Sequence, residues 1–190
     1  MSISLTKNET VSLTKASGGS LEQISLGAGW GKKKGLFGGR AVDLDASCVL
    51  LDAKGNRCDQ VWFRQHVSKC GSIVHSGDDR QGGGAANKPN EIINLNLTKI
   101  PADIKTIVLT INSYTGETFK GIPNAFVVIT DRVTGNEEYR YNLTEAGGDH
   151  TGVILAKLER TGRGWEFTTL AEPANGSTIN HIDAAIRRVV

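Results

Sequence analysis

Asp43-Leu44-Asp45 holds the residues best placed to do chemistry in this chain. Val42, Leu44, Ala46, Cys48 and Leu50 recur at every second position around the pair, so the segment reads as a strand with one apolar face. Residues two apart on a strand share a face. Both carboxylates therefore stand opposite the apolar set, about 6.6 Å apart along the chain at ~3.3 Å per residue. Like charges that close repel unless water or a cation screens them. Ca²⁺ would turn the repulsion into a ligand field, because it takes hard oxygens from carboxylates and carbonyls. The other reading is a solvent-facing polar strand, since charged pairs are ordinary on the open face of a sheet.

A second acidic group lies downstream. Gly77-Asp78-Asp79 opens a long irregular loop over residues 76–90, and Glu91 closes it. Asn87 and Asn90 add amide oxygens. Long ordered loops in compact domains are usually functional. A glycine-flexed loop rich in Asp, Asn and Glu suits Ca²⁺, although the spacing is not that of an EF-hand. An ordinary turn is the alternative, because the same residues dominate turns for conformational reasons.

Other chemistries find less support. His66, His75, His150 and His181 form no HExxH or paired metal spacing, and no phosphate-cradling GxGxxG or GxxxxGK[ST] occurs. His75, close to the acidic loop, reads as a structural hydrogen-bonding residue. Cys48, Cys58 and Cys70 are odd in number and lack a CxxC pair, so three reduced thiols are expected. Trp30, Trp62 and Trp165 read as core residues. The stretch 31–40, with Lys32, Lys33, Lys34 and Arg40 among glycines, reads as a solvated basic loop; contact with anionic lipid is the alternative.

These groups must be positioned by a scaffold of strands. The chain has 190 residues, 38% hydrophobic and 22% charged, which suits one globular domain over residues 1–190. Glycine is abundant at 23 and proline scarce at 4, as a fold with many tight turns requires. The net charge of +2 gives no reason to expect a nucleic-acid partner. No uncharged apolar run is long enough to span a bilayer, and the N-terminus lacks a signal-peptide layout, so a cytoplasmic location is expected.

Ser4-Leu5-Thr6-Lys7 recurs as Ser12-Leu13-Thr14-Lys15 around a polar turn, which predicts a β-hairpin. Alternation or short apolar runs recur at Ile24–Trp30, Ile93–Leu97, Ile107–Ile111, Ala125–Ile129, Tyr139–Leu143, Val153–Leu158 and Trp165–Leu170. Only the C-terminus changes to helical spacing, at Ile179, Ile182, Ile186 and Val189, with Ser177 or Thr178 as N-cap. The pattern predicts an all-β fold, a two-sheet β-sandwich with a short C-terminal helix. Spacing alone leaves a barrel open.

Several separated motifs resemble one family. Val42-Asp43-Leu44-Asp45-Ala46, Trp62-Phe63 and Val74-His75-Ser76-Gly77-Asp78-Asp79 are similar to the TerD-like tellurium-resistance and stress-response family. So are Asn124-Ala125-Phe126 and His150-Thr151-Gly152. Cys48-Val49-Leu50-Leu51-Asp52 and Trp62-Phe63-Arg64 resemble its TerZ branch most. The resemblance implies a Ca²⁺-binding β-sandwich, acting by binding or scaffolding rather than catalysis. It also implies other tellurium-resistance proteins as partners, in a complex at the inner face of the membrane. Its ligand-type positions fall on Asp43, Asp45, Asp78, Asp79 and Glu91, with Asn87 and Asn90 as further donors. Residues 80–90 depart from the family, which usually places several aspartates there; here the stretch has no carboxylate and two basic residues. That predicts one Ca²⁺ rather than two, held more weakly than in typical members. The alternatives are a metal-dependent enzyme built on the same carboxylates, or an assembly subunit whose site has decayed.

Overall fold

A computed structural model of the chain describes residues 3–4, 9–13, 21–35, 38–83, 87–143 and 148–190. The alternating strands form two six-stranded sheets. The first runs β1 (Ile3–Ser4), β12 (Glu137–Asn142), β11 (Phe126–Asp131), β3 (Gln23–Gly29), β9 (Glu91–Asn96) and β8 (Ile73–His75). The second runs β2 (Thr10–Ser12), β14 (Gly164–Ala174), β13 (Gly152–Thr161), β10 (Thr106–Ser113), β6 (Leu44–Leu51) and β7 (Arg57–Val61). All pairings are antiparallel except β1 with β12. The sheets stay open, so the fold is a sandwich and not a barrel.

Period-two patterning builds the core. Ile24, Leu26, Ile93 and Leu95 of the first sheet meet Leu44, Ala46, Cys48, Leu50, Ile107, Leu109 and Ile111 of the second in one buried cluster. β6 is buried along all eight residues because its outer face is also covered. There Val49 and Leu51, with Val108 and Ile154, pack under Ile179, Ile182 and Ile186 of the C-terminal segment. Ile186→Ala, which empties that contact, is expected to cost about 2–4 kcal/mol in urea unfolding. A loss below about 1 kcal/mol would show that the segment lies on the sheet without stabilising it.

Three expectations need correction. Among the described residues the N-terminal repeat forms no hairpin: β1 pairs with β12 in one sheet and β2 with β14 in the other. Each copy alternates well enough to join a sheet, and the repeat itself carries no information on which. Residues 31–40 are not simply a loop, since β4 (Lys33–Gly35) and β5 (Gly38–Arg40) pair as a two-stranded ribbon. The helix is shorter than its apolar spacing suggested: α1 spans Asp183–Ile186 and starts from Ile182, with no side-chain cap. Ser177 Oγ and Thr178 Oγ1 instead lie 3.1 and 3.2 Å from His181 Nδ1, in the turn that leads into it. The three cysteines are unpaired, Cys48 buried and Cys70 exposed.

Candidate metal centre

The start of β6 and the start of β9 meet at one end of the sandwich. β7 ends its pairing at Val61, opposite Cys48, so the backbone of Ala46 has no strand on that edge. Two side chains from the first sheet stand in for the missing strand. Glu91 Oε2 accepts the Ala46 N–H at 2.8 Å, and His75 Nε2 faces the Ala46 carbonyl at 3.1 Å. Gly77 donates its N–H to His75 Nδ1, which makes Nε2 the protonated ring nitrogen. His75 Nε2 also lies 3.3 Å from Glu91 Oε2, and both side chains are fully buried. The histidine is thus a brace whose two nitrogens are committed to the frame.

The acidic loop is folded on this brace. Glu91 Oε1 accepts the Asp79 N–H, and Asp79 Oδ1 accepts the N–H groups of Gln81 and Gly82. Asn90 donates its side-chain amide to Asp79 Oδ2 and accepts the Trp30 N–H on its own oxygen. Trp30 Nε1 in turn donates to the Val42 carbonyl, one residue before Asp43. The loop passes so close to Trp30 that a Cβ on Gly82 would lie 2.4 Å from Nε1, and Gly82 also has φ of +62°. Glycine alone suits both demands.

What this frame presents is a cluster of three carboxylates. Asp43 precedes β6, Asp45 lies on its outward face and Asp78 comes from the loop. Each offers an oxygen, and the three atoms lie within 4.8 Å of one another. Asp43 Oδ1, Asp45 Oδ2 and Asp78 Oδ1 are buried and have no hydrogen-bond partner. Buried acceptors are otherwise nearly always satisfied. Asp45 is only 3% exposed. Burial, reinforced by the charges of Glu91, Asp43 and Asp78, pushes its carboxyl up to about 8. Burial and the charges of Asp78 and Glu91 push Asp43 up to about 6. Asp79 is partly desolvated too, yet the hydrogen bonds from Asn90, Gln81 and Gly82 hold its carboxyl below the ordinary value. The first two groups lack partners and the third has them.

Of the seven sequence-derived candidates, Asp43, Asp45 and Asp78 come together. Asp79, Asn90 and Glu91 are engaged in the hydrogen bonds that shape the loop, and Asn87 is exposed at a φ of +66°. The cluster opens into a cavity of about 350 Å³ whose other walls are Phe63, Arg64, Arg80 and Tyr114. Arg80 Nε holds the second Asp78 oxygen at 2.8 Å. Sequence reasoning did not place Arg64, Arg80 or Tyr114 at the site. Tyr114 follows β10, and its N–H donates to the Asp43 carbonyl at 3.0 Å, a long-range pairing no local pattern announces.

The donor set fits a hard cation. At Ca²⁺–oxygen distances of about 2.4 Å, two ligands of one ion lie no more than about 4.8 Å apart. One carboxylate oxygen from each of Asp43, Asp45 and Asp78 meets that limit.

Comparison with known proteins agrees with the fold. Residues 1–182 match the family model described as the TerD domain. The chain is 44% identical to the tellurium resistance protein TerZ of Serratia marcescens, covering 97% of this chain and 96% of that protein. It is 36% identical to general stress protein 16U of Bacillus subtilis, over 93% of each. The crystal structure of a telluride resistance protein (TerD) homologue from Streptomyces coelicolor superimposes with a TM-score of 0.73 at 18% identity. That match covers 86% of this chain and 96% of the other.

Proposed function

The chain belongs to the TerD-domain family, and on that premise we propose that it is a Ca²⁺-binding module of a bacterial tellurite-resistance and stress-response system, acting by binding rather than catalysis. The observation that carries the reading is the convergence of three carboxylates, each of which has one buried oxygen without a hydrogen-bond partner. Without a cation such a cluster is costly to bury, and a fold that retains it has a reason to. Asp43, Asp45 and Asp78 would hold the ion. Asp79, Asn90, Glu91 and His75 keep the loop in place to receive it. Ca²⁺ suits an open set of this kind better than Mg²⁺, which demands a tight octahedron. With only three protein carboxylates and Arg80 beside them, affinity falls toward the weak end, roughly 10⁻⁵–10⁻³ M.

Binding rather than turnover is supported by the state of His75, whose ring nitrogens face the backbone and Glu91 and not the cavity. No helix among the described residues is long and apolar enough to cross a membrane. Unpaired thiols suit a reducing compartment, and we place the protein in the cytoplasm, with other tellurium-resistance proteins as partners, peripheral to the inner membrane.

Calorimetric titration of the metal-free protein tests this directly. Ca²⁺ is expected to bind with one-to-one stoichiometry and to stabilise the fold by ~2.7 kcal/mol at a hundred times its dissociation constant. No heat and an unchanged melting curve at millimolar Ca²⁺ would favour an assembly subunit without a working cation site.

A further inference from the structure

We propose that the cavity over the three aspartates binds an organic phosphate, whose oxygens complete the coordination of the bound cation on one side and pair with Arg64 on the other. The inference rests on the Ca²⁺ reading above. Asp43, Asp45 and Asp78 supply three oxygens, whereas Ca²⁺ takes six to eight. The three aspartates line the cavity of about 350 Å³, which leaves room for further donors. Its other lining residues carry no carboxylate: they are Phe63, Arg64, Arg80 and Tyr114.

Arg64 is the informative residue. Arg80 is already paired with Asp78, but among the described residues no carboxylate pairs with Arg64. Arg64 is exposed and lines the same cavity as the three aspartates without pairing with any of them. Instead its guanidinium lies over the rings of Trp62 and Phe63, 5.6 and 5.3 Å from their centroids. Its place is set by local structure. Trp62 and Gln65 exchange backbone hydrogen bonds, which makes residues 62–65 a tight turn with Arg64 near its tip. Asp59 braces that turn by accepting from Gln65 Nε2 at 2.9 Å and from the Lys69 N–H at 2.7 Å. A bound cation and a guanidinium lining one cavity repel each other, and an anion between them relieves that repulsion. A tetrahedral oxyanion can meet both, with hard oxygens for the metal and two more for the planar fork of arginine.

The body of the ligand has a place as well. A second cavity of about 520 Å³ shares Arg64 and Tyr114 with the first and is lined also by Trp62, Thr178, Asn180 and His181. An aromatic wall with a hydroxyl, an amide and an imidazole accommodates the polar carrier of a phosphate ester. A free phosphate ester and a lipid headgroup share this chemistry.

Calorimetry with glycerol 3-phosphate, and co-sedimentation with phosphatidylcholine vesicles containing phosphatidic acid, separate the two sources. Each is run at saturating Ca²⁺ and again with chelator. Binding of glycerol 3-phosphate that requires Ca²⁺ assigns a free ester, and Ca²⁺-dependent binding to vesicles alone assigns a headgroup. In both cases Arg64→Gln is expected to weaken the phosphate at least tenfold, while Ca²⁺ alone binds no more weakly than before, because a repelling charge is gone. Ca²⁺ binding with no response to either probe overturns this inference and leaves the cation reading standing. Equal binding in chelator, or an unaffected Arg64→Gln, overturns it too. No Ca²⁺ binding in the absence of phosphate removes both readings together.

Discussion

Asp45→Asn is expected to stabilise the metal-free protein and to abolish its response to Ca²⁺. Both effects follow from one carboxyl. Asp45 is buried, its Oδ2 has no partner, and burial with the charges of Glu91, Asp43 and Asp78 raises it to about 8. The unfolded chain gives up this proton near the ordinary value of 3.8, so the folded state binds more protons between 3.8 and about 8. Stability therefore falls as pH rises through that window, and the contribution is whole only below 3.8. At pH 7 the difference amounts to at most about 4 kcal/mol, less as the pocket relaxes. Asparagine needs no proton, and its amide can donate to the neighbouring carboxylates. A gain on the order of 2 kcal/mol is expected at pH 7 without metal, or about 4–8 °C in Tm for a chain of this size. The Ca²⁺ increment should meanwhile drop from ~2.7 kcal/mol at a hundred times Kd to near zero.

The difference between the parent and Asp45→Asn melting curves reads this group together with its coupling to Glu91, Asp43 and Asp78. It should be small at pH 4 and grow up to about pH 8. Asp43 acts in the same direction, but only up to about 6. In the parent, Ca²⁺ bound at this cluster would displace protons, so its apparent affinity should rise over the same range. A variant less stable than the parent at pH 8 without metal, or one that keeps the full Ca²⁺ shift, would show that Asp45 is an ordinary buried polar residue.

How far the sequence discloses this site depends on the range of the interactions. Alternation at Ile24, Leu26, Ile93, Leu95, Ile107 and Leu109 states which residues turn inward, and the sandwich follows. Asp43 and Asp45 are legible because i and i+2 on a strand share a face, and Asp78 because a glycine-flexed acidic loop needs a reason. What separates Asp78 from Asp79 is not legible. They are adjacent and chemically identical, yet Asp79 caps its own loop through Gln81, Gly82 and Asn90 while Asp78 turns an oxygen into the cluster. Only the path of the backbone decides between them. Arg64 and Tyr114 were hidden for a similar reason, since they reach the cavity from a turn after β7 and from the end of β10. The N-terminal repeat misled because alternation marks a strand without naming its partner.

Glu91→Ala is expected to be among the most destabilising single changes in the chain, by about 3–5 kcal/mol. Glu91 is fully buried and joins three parts of the molecule. It opens β9 in the first sheet, satisfies the Ala46 N–H of the second, and accepts the Asp79 N–H of the acidic loop. It also faces His75 Nε2 at 3.3 Å. Truncation leaves two backbone donors without acceptors, each costing roughly 1–3 kcal/mol, and a cavity the size of the lost side chain. An opposing effect must be separated. Glu91 is one of the charges that raise Asp43 and Asp45, so its removal relieves them. At pH 5 both aspartates keep their protons in the folded protein, with values of about 6 and 8, and there is little repulsion left to relieve. Urea unfolding at pH 5 therefore reads the structural cost alone, and the loss should shrink at pH 8. Glu91→Gln is the control for shape. Its amide carries one oxygen, yet both backbone partners of Glu91 are donors, so glutamine can satisfy one and must set its own NH₂ against the other. The expected order of stability at pH 5 is parent, then Glu91→Gln, then Glu91→Ala. A glutamine variant equal to the parent, or an alanine variant within about 1 kcal/mol of it, would mean that the two sheets and the loop are held at this end by something other than this carboxylate.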